Sequence, residues 1–230
     1  MLEILMYFNI QLRFLRSGGT RSLFARDDLF TSSMNAEGEK SRPPRSEAPT
    51  QRLFFGLWPS EQVRSGLAEV MASLHVRRAN PVPAENLHIT LLFLGSVTAQ
   101  TRICAEKIAE GIAGHPFELS LDQIGFWPQS GILWLGAREL PEILAALARD
   151  LRHGIADCGI DLDARPFKPH VTLMRKALVV RREWPLATVA WRVDHFALVE
   201  SKTNPNGARY QVLRSWRLSA DAFATQAAHP

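Results

Sequence analysis

Residues 87–95 read Leu-His-Ile-Thr-Leu-Leu-Phe-Leu-Gly, and residues 169–175 read Pro-His-Val-Thr-Leu-Met-Arg. Each stretch holds one tetrapeptide pattern: His88-Ile89-Thr90-Leu91 and His170-Val171-Thr172-Leu173. Apolar and β-branched residues suit a half-buried strand. Successive side chains of a strand point to opposite faces. His88 and Thr90 therefore share one face, while Ile89, Leu91 and Phe93 share the other and are expected in a core. The second copy sets His170 and Thr172 opposite Val171 and Leu173. Laid side by side, the two strands would bring two imidazoles and two hydroxyls into one cleft.

Outward from these stretches the chain alternates between strand and helix patterns. Leu53–Trp58 reads as an apolar strand closed by Pro59-Ser60. Ser60 is placed to cap a helix whose apolar positions are Val63, Leu67, Val70, Met71 and Leu74. A loop with Pro81 and Pro83 leads into the strand Leu87–Leu94. A second helix runs over Thr98–Gly114. Strands over Phe117–Ile124 and Gly131–Gly136 are joined by the turn Gly125–Ser130. A third helix over Pro141–Gly159 starts with Pro and ends with Gly. The strands His170–Met174, Trp191–Glu200 and Tyr210–Leu218 complete the pattern. Short turns between neighbouring strands favour an α+β fold with antiparallel sheets. Strand, helix and His-bearing strand occur over 53–94 and again over 131–174, as in a duplicated unit.

The boundaries expected are a lead-in over 1–50, a single folded domain over 51–220 and a tail over 221–230. Residues 32–51 are rich in Ser, Pro, Glu and Arg, a composition that cannot bury a core, so the lead-in is expected to be disordered. Met34 is expected to be the true translation start, the runner-up being a genuine extension or targeting peptide. No apolar run reaches the ~18 residues that a membrane span needs. The net charge of +4 over 230 residues suits a polyanionic partner without specifying one. Cys104 and Cys158 lie in helical stretches outside any Cys-x-x-Cys pattern. They are expected to be reduced core residues of a cytoplasmic protein rather than a disulfide.

Two histidines in matching frames suit in-line displacement at phosphorus. A neutral imidazole takes the proton of the attacking water, and a protonated one supplies the leaving oxygen; the ordinary pKa of ~6.5 fits both tasks. Threonine hydroxyls can donate to the non-bridging oxygens as charge builds. Neither strand brings a carboxylate, so a metal site is poorly supplied, and neither metal nor cofactor is expected. His75, His115, His153, His195 and His229 lack the frame and read as surface or packing residues.

At these residues the chain resembles the 2H phosphoesterase superfamily, which is named for two His-x-Thr/Ser-x motifs. Within it the likeness is to the RNA 2′,3′-cyclic phosphodiesterases, historically called 2′-5′ RNA ligases. It rests on Arg52–Leu57, His88–Gly95, Phe167–Arg175, and Leu198–Ser201 followed by Tyr210. It covers about residues 51–218. The resemblance implies a bilobal fold of duplicated strand–helix–strand units around a central cleft. It also implies metal-independent hydrolysis of a terminal 2′,3′-cyclic phosphate to a 2′-phosphate. His88 would be the proton donor, His170 the proton acceptor, and Thr90 and Thr172 phosphate-binding residues. The partners implied are RNA 3′ ends or nucleoside 2′,3′-cyclic phosphates, met by a monomer away from membranes. Arg175 is a further phosphate candidate, although strict alternation turns it away from His170 unless the strand ends or bulges near Met174. Lys168 has the right parity, but Pro169 leaves its direction open. Tyr210, Phe126 and Trp127 are candidates to stack on a base. The alternatives are a 2′-5′ RNA ligase and a non-catalytic binder of RNA ends.

Overall fold

The computed structural model describes residues 49–76, 78–163, 165–178, 184, 188–204 and 207–219. The chain divides between Ala48 and Pro49, and every described residue belongs to the second unit. The expectations for residues 1–48 and for the tail 221–230 lie outside the described residues.

The elements follow in the order β1 (Thr50–Leu57), α1 (Glu61–Ser73), β2 (Asn80–Pro81), a 3₁₀ turn (Ala84–Asn86), β3 (Ile89–Thr98), α2 (Ala99–Glu110), β4 (Phe117–Leu121), β5 (Gln123–Trp127), β6 (Ile132–Gly136), α3 (Glu142–Ala156), β7 (His170–Arg175), β8 (Val189–Val193), β9 (His195–Asn204) and β10 (Gly207–Arg217). The helix starts are chemical. Ser60 Oγ accepts from the Val63 amide at the head of α1, and Thr98 Oγ1 accepts from the Thr101 amide at the head of α2. Each hydroxyl satisfies an amide that lacks a partner within its helix. α3 buries Leu144, Leu147, Ala148, Leu151 and Ile155, one stripe at helical spacing. Gly154 lets α2 approach closely, since a Cβ there would lie 2.5 Å from Cγ2 of Ile108.

The main sheet runs β10-β9-β1-β3-β7-β6-β5, with β2 added alongside β7. Its pairs are antiparallel. The fold is thus α+β, as expected. β1-α1-β3 and β6-α3-β7 are the two copies of the strand–helix–strand unit, each closing an antiparallel pair around its helix. The copies meet where β3 pairs β7, through the single position Ile89↔Val171. A separate two-stranded sheet, β4-β8, alternates buried and exposed residues without a break.

Three expectations are corrected. Phe93 is not a core residue: it is 36% exposed, and the Arg52 guanidinium lies over its ring. Two register shifts between β1 and β3 break the alternation and bury Leu92 and Leu94 instead. Phe117–Ile124 and Trp191–Glu200 each divide into two strands, at Asp122 and Asp194. Finally, Cys104 and Cys158 are not separate thiols; they form a disulfide between α2 and the turn after α3, with Cα atoms 5.8 Å apart. Their separation of 54 residues carries no sign of this, because packing of α2 on α3 brings them together.

Candidate active site

Ile89 and Val171 face each other in an antiparallel pair, so the residues flanking them share one face of the sheet. His88 and Thr90 flank the first; His170 and Thr172 flank the second. In this register His88 and His170 occupy diagonal positions across the seam. Diagonal neighbours are spaced about 7–8 Å. A phosphate accepting a hydrogen bond on each side fits that gap. Ile89, Val171 and Leu173 are fully buried on the opposite face and hold the seam by apolar packing, each side chain worth about 1.5–3 kcal/mol.

Both imidazoles are held in the same way. His88 Nδ1 lies 2.7 Å from the Asn86 carbonyl oxygen, and His170 Nδ1 lies 2.7 Å from that of Lys168. A carbonyl only accepts, so each Nδ1 carries the hydrogen, and each Nε2 is left with its lone pair in the neutral ring. On His88 this nitrogen accepts from the Thr90 hydroxyl at 3.1 Å. Each motif thus supplies an imidazole whose working nitrogen is fixed by the residue two positions upstream.

The surroundings of the rings differ. His88 sits in an aromatic box. Trp58 stacks on it at 5.5 Å between centroids, Phe54 lies at 4.9 Å, and Tyr210 meets it edge-on at 5.1 Å. Burial pushes His88 down from 6.5 to about 4; the Asn86 hydrogen bond opposes this, while the charges of His170 and Arg175 add to it. His170 meets Trp127 edge-on at 4.6 Å, with Trp134 behind at 6.4 Å. It too is held below the ordinary imidazole value by burial. The Lys168 carbonyl opposes that shift, and Arg175 and Lys168 reinforce it. Both rings are therefore neutral at neutral pH in the ligand-free protein.

Arg175 is where the alternation rule needed its exception. β7 carries one extra residue against β6, since Leu133 pairs Met174 while Trp134 pairs Thr172. The bulge buries Leu173 and Met174 in succession and leaves Arg175 exposed, with its charge reaching both histidines. Lys168 Nζ lies 5.9 Å from the centre of the Trp127 ring and 5.6 Å from that of Trp134. Phe126 packs against the main core instead. Among the described residues no group of three or more His, Cys, Asp or Glu side chains is arranged to hold a metal ion.

Several residues at the site escaped the sequence reading. Phe54 and Trp58 stand on either side of Gly56, at alternate positions along β1 and its end. A Cβ at Gly56 would lie 2.9 Å from the Ile89 carbonyl oxygen, so the glycine is the sign that something packs closely there. Gly125 plays the same part for Trp134, whose indole occupies the space of its missing side chain at 2.0 Å. Asn86 is 7% exposed; its Nδ2 donates to the Ala208 carbonyl at 2.8 Å while its own carbonyl holds His88. It thereby ties His88 to β10, the strand that carries Tyr210.

Comparison with known proteins places the fold in a family. Residues 59–205 match the 2′-5′ RNA ligase superfamily. The RNA 2′,3′-cyclic phosphodiesterase of Escherichia coli (strain K12) is 36% identical over 171 residues, 74% of this chain and 97% of its own length. That of Thermus thermophilus is 34% identical over 197 residues, 78% of this chain and 96% of its own. Among solved structures, E. coli LigT in complex with 3′-AMP superposes with a TM-score of 0.70 at 35% identity. That match covers 74% of this chain and 99% of the LigT chain.

Proposed function

The chain belongs to the 2′-5′ RNA ligase superfamily, and from that premise we propose that it hydrolyses a terminal RNA 2′,3′-cyclic phosphate to a 2′-phosphate. The observation that carries the proposal is the meeting of both His-x-Thr motifs at the single pair Ile89↔Val171. In the reaction, water attacks phosphorus opposite the 3′ oxygen. His170 Nε2 takes the proton of the water. The bond from phosphorus to O3′ breaks, and His88 Nε2–H protonates the departing oxygen. One proton has then moved from His88 to His170, and solvent restores both rings. Thr90 and Thr172 donate to the non-bridging oxygens, Arg175 offsets the phosphate charge, and Tyr210 bounds the pocket beside His88.

Ligand-free His88 is neutral at pH 7, so the acid must be created on binding. The negative cyclic phosphate is the new charge placed beside Nε2, so its binding favours uptake of a proton by His88 from solvent. Both histidines and both threonines come from one chain, so a single copy suffices. No described helix is long and apolar enough to cross a membrane. We place the enzyme in the cytoplasm, with its RNA substrates. The Cys104–Cys158 bond weighs against that compartment, since disulfides are rare there, and alkylation of thiols trapped in intact cells decides it.

The test is a product assay on nucleoside 2′,3′-cyclic phosphates and a cyclic-ended oligoribonucleotide in excess EDTA. Release of the 2′-phosphate is expected. A 3′-phosphate product, loss of rate with chelator, or tight binding without turnover would each refute the proposal. Joining of RNA ends through a 2′-5′ linkage would identify the reverse reaction as the principal one.

A further inference from the structure

Two non-glycine residues among those described adopt a left-handed backbone, Arg78 and Lys176, both at φ 56°. Such a conformation is uncommon for side-chain-bearing residues, and strain of this kind concentrates where geometry serves function. Both residues are basic, and both stand at the same place. Asn80 of β2 pairs Arg175 of β7 in antiparallel fashion, so Arg78 and Lys176 lie just beyond the adjoining ends of the two strands, on the same side of that pair. The Lys176 backbone is also pinned from the β5–β6 turn. A Cβ on Gly131 would lie 3.2 Å from the Lys176 Cα, and the Ala177 amide donates to the Gly131 carbonyl at 3.0 Å. That same turn begins at Trp127, which touches His170.

Neither Arg78, Arg175 nor Lys176 is paired with a carboxylate among the described residues. By contrast Arg64, Arg102, Arg138, Arg149, Arg165, Arg192, Lys202 and Arg214 are. All three are exposed, and what sets them apart from the other described cations without a carboxylate partner, Arg52, Lys107, Arg152, Lys168, Arg209 and Arg217, is their place together at the adjoining ends of β2 and β7. The three run outward from Arg175, whose charge reaches both imidazoles, to the rim; Thr172 to Arg175 is roughly 10 Å along β7 at the usual rise per residue, and Lys176 lies beyond the strand end. That reach exceeds what one terminal phosphate can use.

We propose that Arg78 and Lys176 form a second phosphate-binding site, which holds the sugar–phosphate backbone of the RNA upstream of its cyclic end. The inference rests on the hydrolytic reading above and sharpens it: the substrate is an oligoribonucleotide, and a cyclic mononucleotide fills only the inner part of the site. Unpaired, pre-positioned cations bind successive phosphates without reading sequence. The left-handed backbone turns both side chains at the strand ends, where an ordinary extended residue would continue the sheet.

The experiment compares wild type with the double variant R78A/K176A on two substrates, uridine 2′,3′-cyclic phosphate and a short cyclic-ended oligoribonucleotide. Alanine leaves the left-handed penalty in place, so the thermal midpoint should hold. R78G/K176G, which relieves the penalty, should raise the midpoint and show the same catalytic defect. With the oligoribonucleotide, KM should rise roughly tenfold at constant kcat. The salt dependence of log kcat/KM should flatten by about 1.4, at about 0.7 for each of the two single-strand phosphates that the variant no longer neutralises. With the mononucleotide, kcat/KM should stay within about a factor of two, since no phosphate reaches the rim. An unaltered KM and salt slope on the oligoribonucleotide overturns the inference and leaves the hydrolytic reading standing. An equal loss on both substrates also overturns it, because the residues then serve the inner site. A wild-type enzyme that turns over neither substrate refutes the hydrolytic reading, and this inference falls with it.

Discussion

Binding a nucleoside 2′-phosphate, the expected product, should raise the pKa of His88 from about 4 to about 7. The low starting value comes chiefly from burial in the box of Phe54, Trp58 and Tyr210, with His170 and Arg175 adding positive charge nearby. A unit negative charge ~4 Å from the ring contributes about 4 kcal/mol at an effective dielectric constant of ~20. At 1.36 kcal/mol per pK unit that is a rise of about 3. The assay is an NMR titration of ¹³C-labelled histidine Cε1 resonances with and without the nucleotide, with His88→Asn assigning the line. The kinetic counterpart is a kcat profile falling above about pH 7, as His88 loses its proton in the complex. The reasoning fails if His88 titrates at its ordinary 6.5 in the free protein, or if saturating nucleotide leaves the midpoint where it was. In the second case the phosphate does not sit between the rings, and the proposed acid is never charged.

The same depression has a consequence for stability. Unfolded His88 protonates near 6.5 and folded His88 only near 4, so its contribution is fully present above pH 6.5 and lost as pH falls through about 4. Denaturant titrations should show His88→Asn losing about 3 kcal/mol less than wild type between those limits. His88→Ala and His170→Ala should each slow hydrolysis by about 10²–10⁴-fold. A substrate with sulfur replacing the 3′ oxygen should rescue only the first, since a thiolate leaves without an acid; rescue of His170→Ala instead would exchange the two roles. Removing the disulfide by the double change Cys104→Ser and Cys158→Ser should cost about 2–4 kcal/mol for a loop of this length. Because neither cysteine touches the histidines in any described contact, kcat should persist, and a matching fall in kcat would show that the helix layer positions the site.

The duplicated unit was legible because a strand's alternation is local. His88 with Thr90 and His170 with Thr172 need only the period of two, and Ile89 and Val171 on the reverse face told which side was core. The same rule failed where the ladder carries an extra residue. No local pattern announces the bulges that expose Phe93 or carry Arg175 round to the histidines; they arise from fitting β3 against β1 and β7 against β6. The aromatic walls were half legible. Trp127 and Tyr210 could be named as base-stacking candidates, but Phe54 and Trp134 pack into the space left by Gly56 and Gly125, a tertiary fact. The disulfide was illegible for the same reason, being made by the packing of two helices.

The two motifs are nearly identical, yet the reaction needs two unlike groups. Their internal geometry does not separate them, since each ring is held through Nδ1 by the carbonyl two residues upstream at the same 2.7 Å. The difference lies around them. Both rings are half-buried, but three aromatic rings, a threonine hydroxyl and the Asn86 tie to β10 surround His88, whereas His170 meets Trp127 edge-on with Lys168 alongside. Enclosure lowers the effective dielectric, which penalises charge on His88 in the empty site and strengthens its pairing with a bound anion by the same physics. On the roles proposed above, the ring in the aromatic box is the one whose protonation should depend most on substrate, which suits the acid. Transplanting the box should move the role: opening it with Trp58→Ala and Phe54→Ala should let His88 titrate nearer its ordinary value in the free enzyme and narrow the gap between the free and bound midpoints. An unchanged gap would mean that the motif itself, and not its aromatic surroundings, divides the labour.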